Sequence, residues 1–430
     1  LSERRCQHAT ECCQNATRPP SRCLAECRFL PGMEAICAIR FQVARKLQFA
    51  DGTLANNQGE QGDMLQILEI NDIAKLSEVE DIWAELLAQT EGADFFRTAQ
   101  WLKVYWKHFG SDKQVKILLV LDGDRPVGIL PLVVSTREKR AGQFRVVEFP
   151  MDYWGSFYGP VGPAPQEALR AGLEYLMTQP RDWDYIDLHW LPGDQPSVES
   201  TDFTRYEEDI IAVADLSAGW DGYWASRSRN WRSNCRRNTK KVEAAGEMEF
   251  IRYRPLGKEH GEGDPRWDLF EAMQQIAICS WQADSTDGTT MTHTEIARFL
   301  RDMHIAAAAS GNLDLNLLYL NGKPVAFNYN YHYRGYVSSL RLGFDPEVGK
   351  LGVGTALTHA MLQDSCQRGD HTFDFLPGSH EVKRPWQTHL KPSVRFEHLP
   401  ANSPRVQLLR AARWLRSRWR KMASSISRFK

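Results

Sequence analysis

A repeated hairpin pattern is the feature that most constrains the fold of this chain. Residues 118–132 read LLVLDGDRPVGILPL, and residues 317–331 read LLYLNGKPVAFNYNY. Each stretch is an apolar run that stops at an Asp-Gly or Asn-Gly turn and continues through Pro-Val into a second apolar run, which predicts a β-hairpin. Because helix, hairpin and strand follow in the same order both times, we expect an α/β protein with two related modules in tandem.

Length and composition set the domain boundaries. The chain has 430 residues, of which 42 % are hydrophobic and 25 % charged, enough for two or three domains. We expect the first module at residues 64–215 and the second at 216–398. Residues 1–63 hold six of the nine cysteines but lack clean periodicity, so we expect an N-terminal extension that is disordered or precedes a natural start near Met64. A disulfide knot or a zinc site is the alternative.

Residues 399–430 predict a basic amphipathic helix. Nine basic residues and no acidic residue occur in 405–430. At helical spacing an apolar stripe runs beside Trp414 through Leu408, Ala411, Leu415, Trp419, Met422 and Ile426. This stripe either packs on the second module or rests on an anionic membrane. The chain shows neither a secretory signal nor the roughly 18 apolar residues of a membrane span, so we expect a cytoplasmic protein. On the membrane alternative it is peripheral to the inner membrane through this helix.

A glycine-rich turn predicts a phosphate-binding site. The segment FDPEVGKLGVGTALTHAML places Gly349, Gly352 and Gly354 between a strand and a helix. Backbone N–H groups and the helix dipole suit a pyrophosphate there, and Lys350 adds a full charge. We expect the donor-binding residues to be Lys350, Gly352, Val353, Gly354 and Thr355. The alternative is a loop that needs glycine only for positive φ. Dinucleotide, P-loop, zinc-deaminase and serine-hydrolase patterns are absent from the sequence.

Three side chains are candidates for catalysis. Tyr331 lies in an alternating strand, where it either packs or serves as a proton donor or acceptor. Asp374 interrupts the apolar strand TFDFL, so it is either paired structurally or holds a raised pKa. Lys383 follows in a loop and neutralises phosphate or a developing oxyanion, unless it is an ordinary solvated lysine.

The order of these motifs resembles the CelD/BcsL-like branch of the GNAT acyltransferase superfamily, which is related to the tandem-GNAT FemAB aminoacyltransferases. The resemblance covers about residues 90–396. It implies two GNAT-like modules, each a mixed, mostly antiparallel sheet flanked by helices. In such folds the glycine turn, here Gly352 to Thr355, holds the CoA pyrophosphate. The aromatic-acid strand, the glycine and the Lys–Trp run of the family match Phe373, Asp374, Phe375, Gly378, Lys383 and Trp386, while Val382 replaces the usual tyrosine.

The resemblance implies acyl transfer from an acyl-CoA, such as acetyl-CoA, to an amine or hydroxyl of a sugar or another small molecule. It also implies a place in polysaccharide or cell-envelope synthesis. Gly349 stands where the family usually has Arg or Gln, so aminoacyl-tRNA remains an alternative donor. A non-catalytic polysaccharide-assembly factor is the alternative of another class. The seven basic residues in 227–241 are typical of a solvated helix face, so we expect no nucleic-acid partner. We also expect no metal.

Overall fold

The computed structural model of the chain describes residues 65–193, 203–285 and 290–427. Its strands are β1 (Gln66–Ile70), β2 (Lys113–Asp122), β3 (Arg125–Lys139), β4 (Gly142–Glu148), β5 (Tyr185–Pro192), β6 (Thr204–Asp215), β7 (Met248–Tyr253), β8 (Leu313–Leu320), β9 (Lys323–Tyr333), β10 (Tyr336–Phe344), β11 (Thr372–Asp374) and β12 (His389–His398). Its α-helices are α1 (Glu80–Ala88), α2 (Ala99–Phe109), α3 (Pro165–Thr178), α4 (Gly219–Ala225), α5 (Arg229–Ala245), α6 (Trp267–Cys279), α7 (Ala297–Ala309), α8 (Val353–Gln367), α9 (His380–Lys383) and α10 (Pro404–Ser427).

The described strands form one sheet, in the order β1-β2-β3-β4-β5-β12-β6-β11-β10-β9-β8-β7. The order is symmetric: when each of β1–β6 exchanges its name with the corresponding strand of β7–β12, the same order results, read from the other end. In each half the fourth and fifth strands are parallel, β4 with β5 and β10 with β11, and a crossover helix, α3 or α8, joins them. The repeated hairpins are β2–β3 and β8–β9. The expectation of tandem modules with mixed, mostly antiparallel sheets is therefore confirmed.

The last strand of each half lies beside the other half. Strand β6 pairs with β11, and β12 pairs with β5. The two exchanged strands also pair with each other, from His389 opposite Val213 to Glu397 opposite Thr204. The boundaries 64–215 and 216–398 stay a prediction, and the topology adds that β6 and β12 each join the sheet half of the opposite segment.

Packing divides the chain into two compact units. The smaller unit comprises Leu1–Gln66 and Leu121–Pro126, and its described part is Leu65, Gln66 and the tip of the first hairpin. The larger unit comprises Ile67–Val120 and Val127–Lys430. The predicted extension at residues 1–63, with its six cysteines, lies outside the described residues. None of the described helices is both long and apolar enough to cross a bilayer.

Helix α2 shows how the sequence builds the core near the site. It begins after Thr98, whose hydroxyl accepts the backbone N–H of Trp101 at 3.1 Å, and it ends at Gly110. Trp101, Leu102 and Tyr105 form its buried face. The Trp101 ring meets Phe299 of α7 edge-on at 5.8 Å, which ties the helix to the second half of the chain.

Candidate functional site

A row of residues across four strands carries two of the three predicted catalytic side chains. Tyr331 of β9 lies opposite Ser338 of β10, Ser338 opposite Asp374 of β11, and Asp374 opposite Val213 of β6. Directly opposite residues point to the same face of a sheet. Adjacent strands are about 4.8 Å apart, so Tyr331 and Asp374 share a face at a backbone separation of about 10 Å, with Ser338 between them.

Asp374 is buried among neutral hydrogen-bond donors. Its carboxylate accepts the Tyr336 hydroxyl at 2.8 Å, the Ser156 hydroxyl at 2.9 Å and the backbone N–H of Leu376 at 2.7 Å. Burial raises the pKa of Asp374, while these donors and the charge of Lys383 act in the opposite direction. Within the described residues, this carboxyl group therefore has hydrogen-bond donors but no salt-bridge partner in direct contact.

The charge of Asp374 acts on a second buried carboxyl group, Asp94. Asp94 caps the 3₁₀ turn Phe95–Arg97 by accepting the backbone N–H of Arg97 at 3.2 Å. Burial raises its pKa to about 6, and the negative charge of Asp374 adds to the rise although Arg97 opposes it. Two nearby carboxylates disfavour simultaneous ionisation, which is the direction in which the charge of Asp374 acts on Asp94. Asp94 was not predicted, because nothing local distinguishes it from an ordinary helix cap.

A cavity of about 620 Å³ opens next to this pair. Its lining comes from both halves of the chain and includes Arg97, Pro165 at the start of α3, Tyr336, His371 and Lys391. Tyr336 lines the cavity and also donates to Asp374, so it connects the cavity with the buried carboxylate. Burial raises the pKa of Tyr336 well above its ordinary value, which keeps it a neutral phenol. The sequence drew attention to the strand before this residue and missed Tyr336.

The structure places Tyr331 in a packed aromatic cluster. Its ring centroid lies 4.4 Å from that of Phe95 and 5.6 Å from that of Tyr329. The Tyr329 hydroxyl lies 3.0 Å from Nδ1 of His304, whose Nε2 lies 2.6 Å from the Pro265 carbonyl and must donate to it. Burial raises the pKa of Tyr331. Within the described residues the cavity lining includes Tyr336 but not Tyr331.

Lys383, the last residue of α9, lies close to the loop that follows Asp374. Its ammonium group donates to the carbonyl of Leu376, the residue whose N–H binds Asp374. Leu376 has a φ of 56°, a left-handed conformation that is unusual for a leucine and that these two bonds help to hold. Burial lowers the pKa of Lys383 to about 8 against the opposing charges of Asp374 and Asp209. Gly378 has a φ of 135°, a conformation that favours glycine, and a Cβ atom there would lie 3.1 Å from the ammonium.

The predicted donor turn precedes helix α8. Gly352 has a φ of 83°, and a Cβ atom there would lie 2.5 Å from the Asn238 side chain of α5. Both facts require glycine for structural reasons. The first N–H groups of any helix lack intrahelical partners and carry partial positive charge. Lys350 is exposed and Gly354 and Thr355 are half-buried, whereas the Val353 side chain is buried and can offer only its backbone N–H.

Strands β10 and β11 pair over a short stretch. They pair through Tyr336–Ser338, and β10 shifts its register against β9 between Ser339 and Arg341. Asp374 ends β11, whereas β10 continues to Phe344, six residues beyond Ser338, before the chain turns towards α8. The cavity meets these strands at their amino ends, at Tyr336 and Thr372, and its lining includes none of residues 349–355. The structure therefore does not bring the donor turn and the cavity together.

Helix α5 is amphipathic, as its sequence predicts. Cys235 and Val242 are buried, and the Trp231 ring meets Trp386 edge-on at 5.0 Å. Its exposed basic residues are Arg229, Arg236, Arg237, Lys240 and Lys241. In the described part of the chain no three His, Cys, Asp or Glu side chains are grouped so that they could hold a metal ion.

Comparison with known proteins gives the class of this site. Residues 229–384 match the family described as Acetyltransferase (GNAT) domain, a stretch that runs from α5 to α9 and includes the donor turn, Asp374 and Lys383. This part of the chain is similar to a GNAT acetyltransferase domain, which supports the expected superfamily at that level. The CelD/BcsL-like assignment stays a prediction. No curated protein matches the sequence.

Several solved structures are similar to this chain. FemX superposes with a TM-score of 0.56 at 12 % identity, over 80 % of this chain and 99 % of its own. The C-terminal domain of a putative lysylphosphatidylglycerol synthetase from Agrobacterium fabrum gives 0.48 at 11 %, over 78 % and 96 %. A tandem GNAT protein from the clavulanic acid biosynthesis pathway gives 0.41 at 12 %, over 79 % and 100 %. At these identities, the FemX likeness establishes the fold alone, and the two lower scores add no argument.

Proposed function

We propose that the chain is a cytoplasmic N- or O-acyltransferase that moves an acyl group from acyl-CoA to an amine or hydroxyl. The acceptor is a sugar or another small molecule of polysaccharide or cell-envelope synthesis. The observation that carries the proposal is the position of Asp374. It is buried without an ion pair to any described residue, it is linked through Tyr336 to the cavity, and it ends β11, which runs parallel to β10, the strand that leads to the donor helix.

The donor binds at the start of α8 in this proposal. Backbone N–H groups of Gly352, Val353, Gly354 and Thr355 hold the pyrophosphate, and Lys350 adds charge from solvent. A Cβ atom at Gly354 would lie 3.3 Å from the Phe344 ring, so this side chain borders the turn.

The chemical step needs one proton to move. The acceptor nitrogen or oxygen attacks the thioester carbonyl carbon, the new C–N or C–O bond forms, and the C–S bond breaks. We assign Tyr336 and Asp374 to accept the proton that the acceptor loses, the phenol passing its own proton to the carboxylate. Lys383, with a pKa near 8, stabilises the developing oxyanion and supplies a proton to the leaving thiolate. Tyr331 supports the row by packing.

A donor screen tests the proposal. The full chain is titrated with acetyl-CoA, longer acyl-CoAs and free CoA in a calorimeter, and thiol release is then measured with amino sugars and hydroxyl sugars as acceptors. Binding of acyl-CoA and acceptor-dependent thiol release support it. Lys350→Ala should weaken binding, whereas Lys258→Ala, an exposed lysine on another loop, is the control. Absence of both binding and release would favour a non-catalytic assembly factor.

A FemAB-like aminoacyltransferase is the second candidate. Two observations favour it: the fold likeness to FemX and the exposed basic face of α5, which suits a polyanion. The same assay decides between the two. Transfer from charged tRNA without acyl-CoA would support the aminoacyltransferase. Transfer from acyl-CoA without tRNA would support the acyl-CoA-dependent enzyme instead.

A further inference from the structure

Helix α10 is attached to the protein through one narrow face. Val406 and Leu409 are buried, and Leu409 packs with Phe144, Val146 and Tyr185 of strands β4 and β5. Arg413 adds an ion pair to Glu397 at 2.7 Å. At about 100° per residue, Val406, Leu409 and Arg413 lie within roughly 60° of one another around the helix.

The apolar stripe of α10 lies on the opposite side. Leu408 is 63 % exposed and Leu415 is 51 % exposed. Together with Ala411 they centre about 160° away from the packing face. The alternative that the stripe packs on the second module is therefore wrong for these residues: the helix packs on strands of the first half and presents the stripe to solvent. In the sequence the same spacing continues through Trp419, Met422 and Ile426.

Basic side chains border the exposed stripe. Helix α10 contains seven Arg and Lys residues and no acidic residue. Arg416 and Arg418 are exposed and lie on either side of Leu415 around the helix. Trp414 is 57 % exposed, and the Arg418 guanidinium stands 4.7 Å from the centre of its ring. Arg413 is paired with Glu397 on the packing face, whereas Arg416 and Arg418, next to the stripe, are exposed and accessible to a ligand.

We propose that this surface, formed by Leu408, Trp414, Leu415, Arg416 and Arg418, binds an anionic lipid membrane, with α10 lying parallel to the bilayer plane. An apolar stripe with a tryptophan beside it and arginines on both sides matches the depth profile of a membrane interface. The charge favours a negatively charged leaflet rather than a protein groove, because α10 offers no acidic group to set register with a partner helix. The proposal is independent of the acyl-transfer reaction.

Vesicle co-sedimentation of the full chain tests the proposal. The vesicles consist of phosphatidylcholine alone or of phosphatidylcholine mixed with phosphatidylglycerol. We expect binding to the mixed vesicles, weaker binding as salt rises, and little binding to the neutral ones. Leu408→Gln with Leu415→Gln, and separately Arg416→Gln with Arg418→Gln, should each reduce binding about tenfold or more. Leu256→Gln is the matched control, because Leu256 is equally exposed, at 63 %, and lies outside α10.

Three results would overturn the proposal: no sedimentation of the wild type, equal binding to neutral vesicles, or undiminished binding of the arginine variant. All variants change exposed side chains, so unchanged melting temperatures exclude misfolding as the cause of a loss. Deleting the helix is a poor substitute, since Val406 and Leu409 belong to the packed core.

Discussion

The two halves of the sheet have an aspartate at corresponding positions, but its pKa shifts in opposite directions in the two halves. Asp187 of β5 and Asp374 of β11 each follow the residue that pairs in parallel with the preceding strand, Ile186 with Val147 and Phe373 with Val337. Asp187 lies 2.9 Å from an Arg395 nitrogen and 3.2 Å from His189. Although burial works against ionisation, these partners lower its pKa, whereas burial raises that of Asp374.

The neighbouring exchanged strand accounts for this difference. Strand β12 sets Glu397 opposite Asp187 and supplies Arg395 two residues away, which builds an ion-pair network. Strand β6 sets Val213 opposite Asp374 and has Asp215 two residues away, so it supplies no cation there. A duplicated fold therefore holds a structural acid in one half and an acid suited to proton transfer in the other.

The two crossover helices also differ, in how well their amino ends suit an anion. Helix α3 begins at Pro165, which has no N–H group to offer, and carries Glu167 in its first turn. Helix α8 begins after left-handed Gly352 and has no acidic residue in its first turn. An anion is favoured at α8 and disfavoured at α3.

The largest expected effect separates the two aspartates. Asp374→Asn should lower kcat/KM by about 10²–10⁴, because it removes the proton acceptor, with little change in melting temperature. Asp187→Asn should lower the free energy of unfolding by about 2 kcal/mol through its unpaired partners while turnover of the folded enzyme persists. Kinetics and denaturant unfolding on both variants check this. Full activity of Asp374→Asn would contradict the assignment of the two roles.

A second contrast lies in the hairpins. When the two repeats are aligned, Val115 of β2 corresponds to Asp314 of β8. The Asp314 carboxylate is fully buried and lies 2.9 Å from a guanidinium nitrogen of Arg252 and 3.3 Å from one of Arg254. Asp314→Ala should lower the free energy of unfolding by about 3–5 kcal/mol, because two buried guanidinium groups lose a partner. Val115→Ala, the control in the other half, should cost less, about 1–2 kcal/mol. Chemical denaturation measures both, and an equal cost would contradict the expectation.

The donor turn gives a smaller effect. Gly354→Val should weaken acyl-CoA binding roughly tenfold by pushing the pyrophosphate away from the backbone, which loses one charge-assisted hydrogen bond. Gly354→Ala is the graded control, because its Cβ atom would meet only Phe344, at 3.3 Å. Calorimetric titration measures both affinities. Unchanged affinity in a folded Gly354→Val protein would exclude phosphate binding at α8.

The smallest effect is the pH dependence that His189 contributes in the first half. Hydrogen bonds to Asp187 and Glu208 outweigh burial and raise the pKa of His189 to about 9. A raised histidine pKa stabilises the fold fully below the unfolded value of about 6.5 and is lost as pH rises through about 9. Stability should therefore fall between pH 7 and 9, and His189→Gln should flatten that slope. An equally steep slope in the variant would assign it to another group.

The sequence alone predicted the elements whose cause is local. The Asp-Gly and Asn-Gly turns identify both hairpins, the 3.6-residue spacing identifies α2, α5 and α10, and the strand-to-helix glycines identify the turn before α8. It also singled out Asp374, because an acid in an apolar strand is unusual at any position. Each of these signals lies within about twenty residues of chain.

The tertiary structure alone decided which of these residues meet. Asp374 contacts Ser156, which is 218 residues away in sequence, and Tyr336, whereas Tyr331 is buried by Phe95 and Phe96. The exchange of β6 and β12 and the choice of packing face on α10 are equally nonlocal. Hydrophobic periodicity reports that a face is apolar, but burial depends on which distant surface covers it. For that reason the stripe of α10 was found from sequence, and its exposure only from the fold.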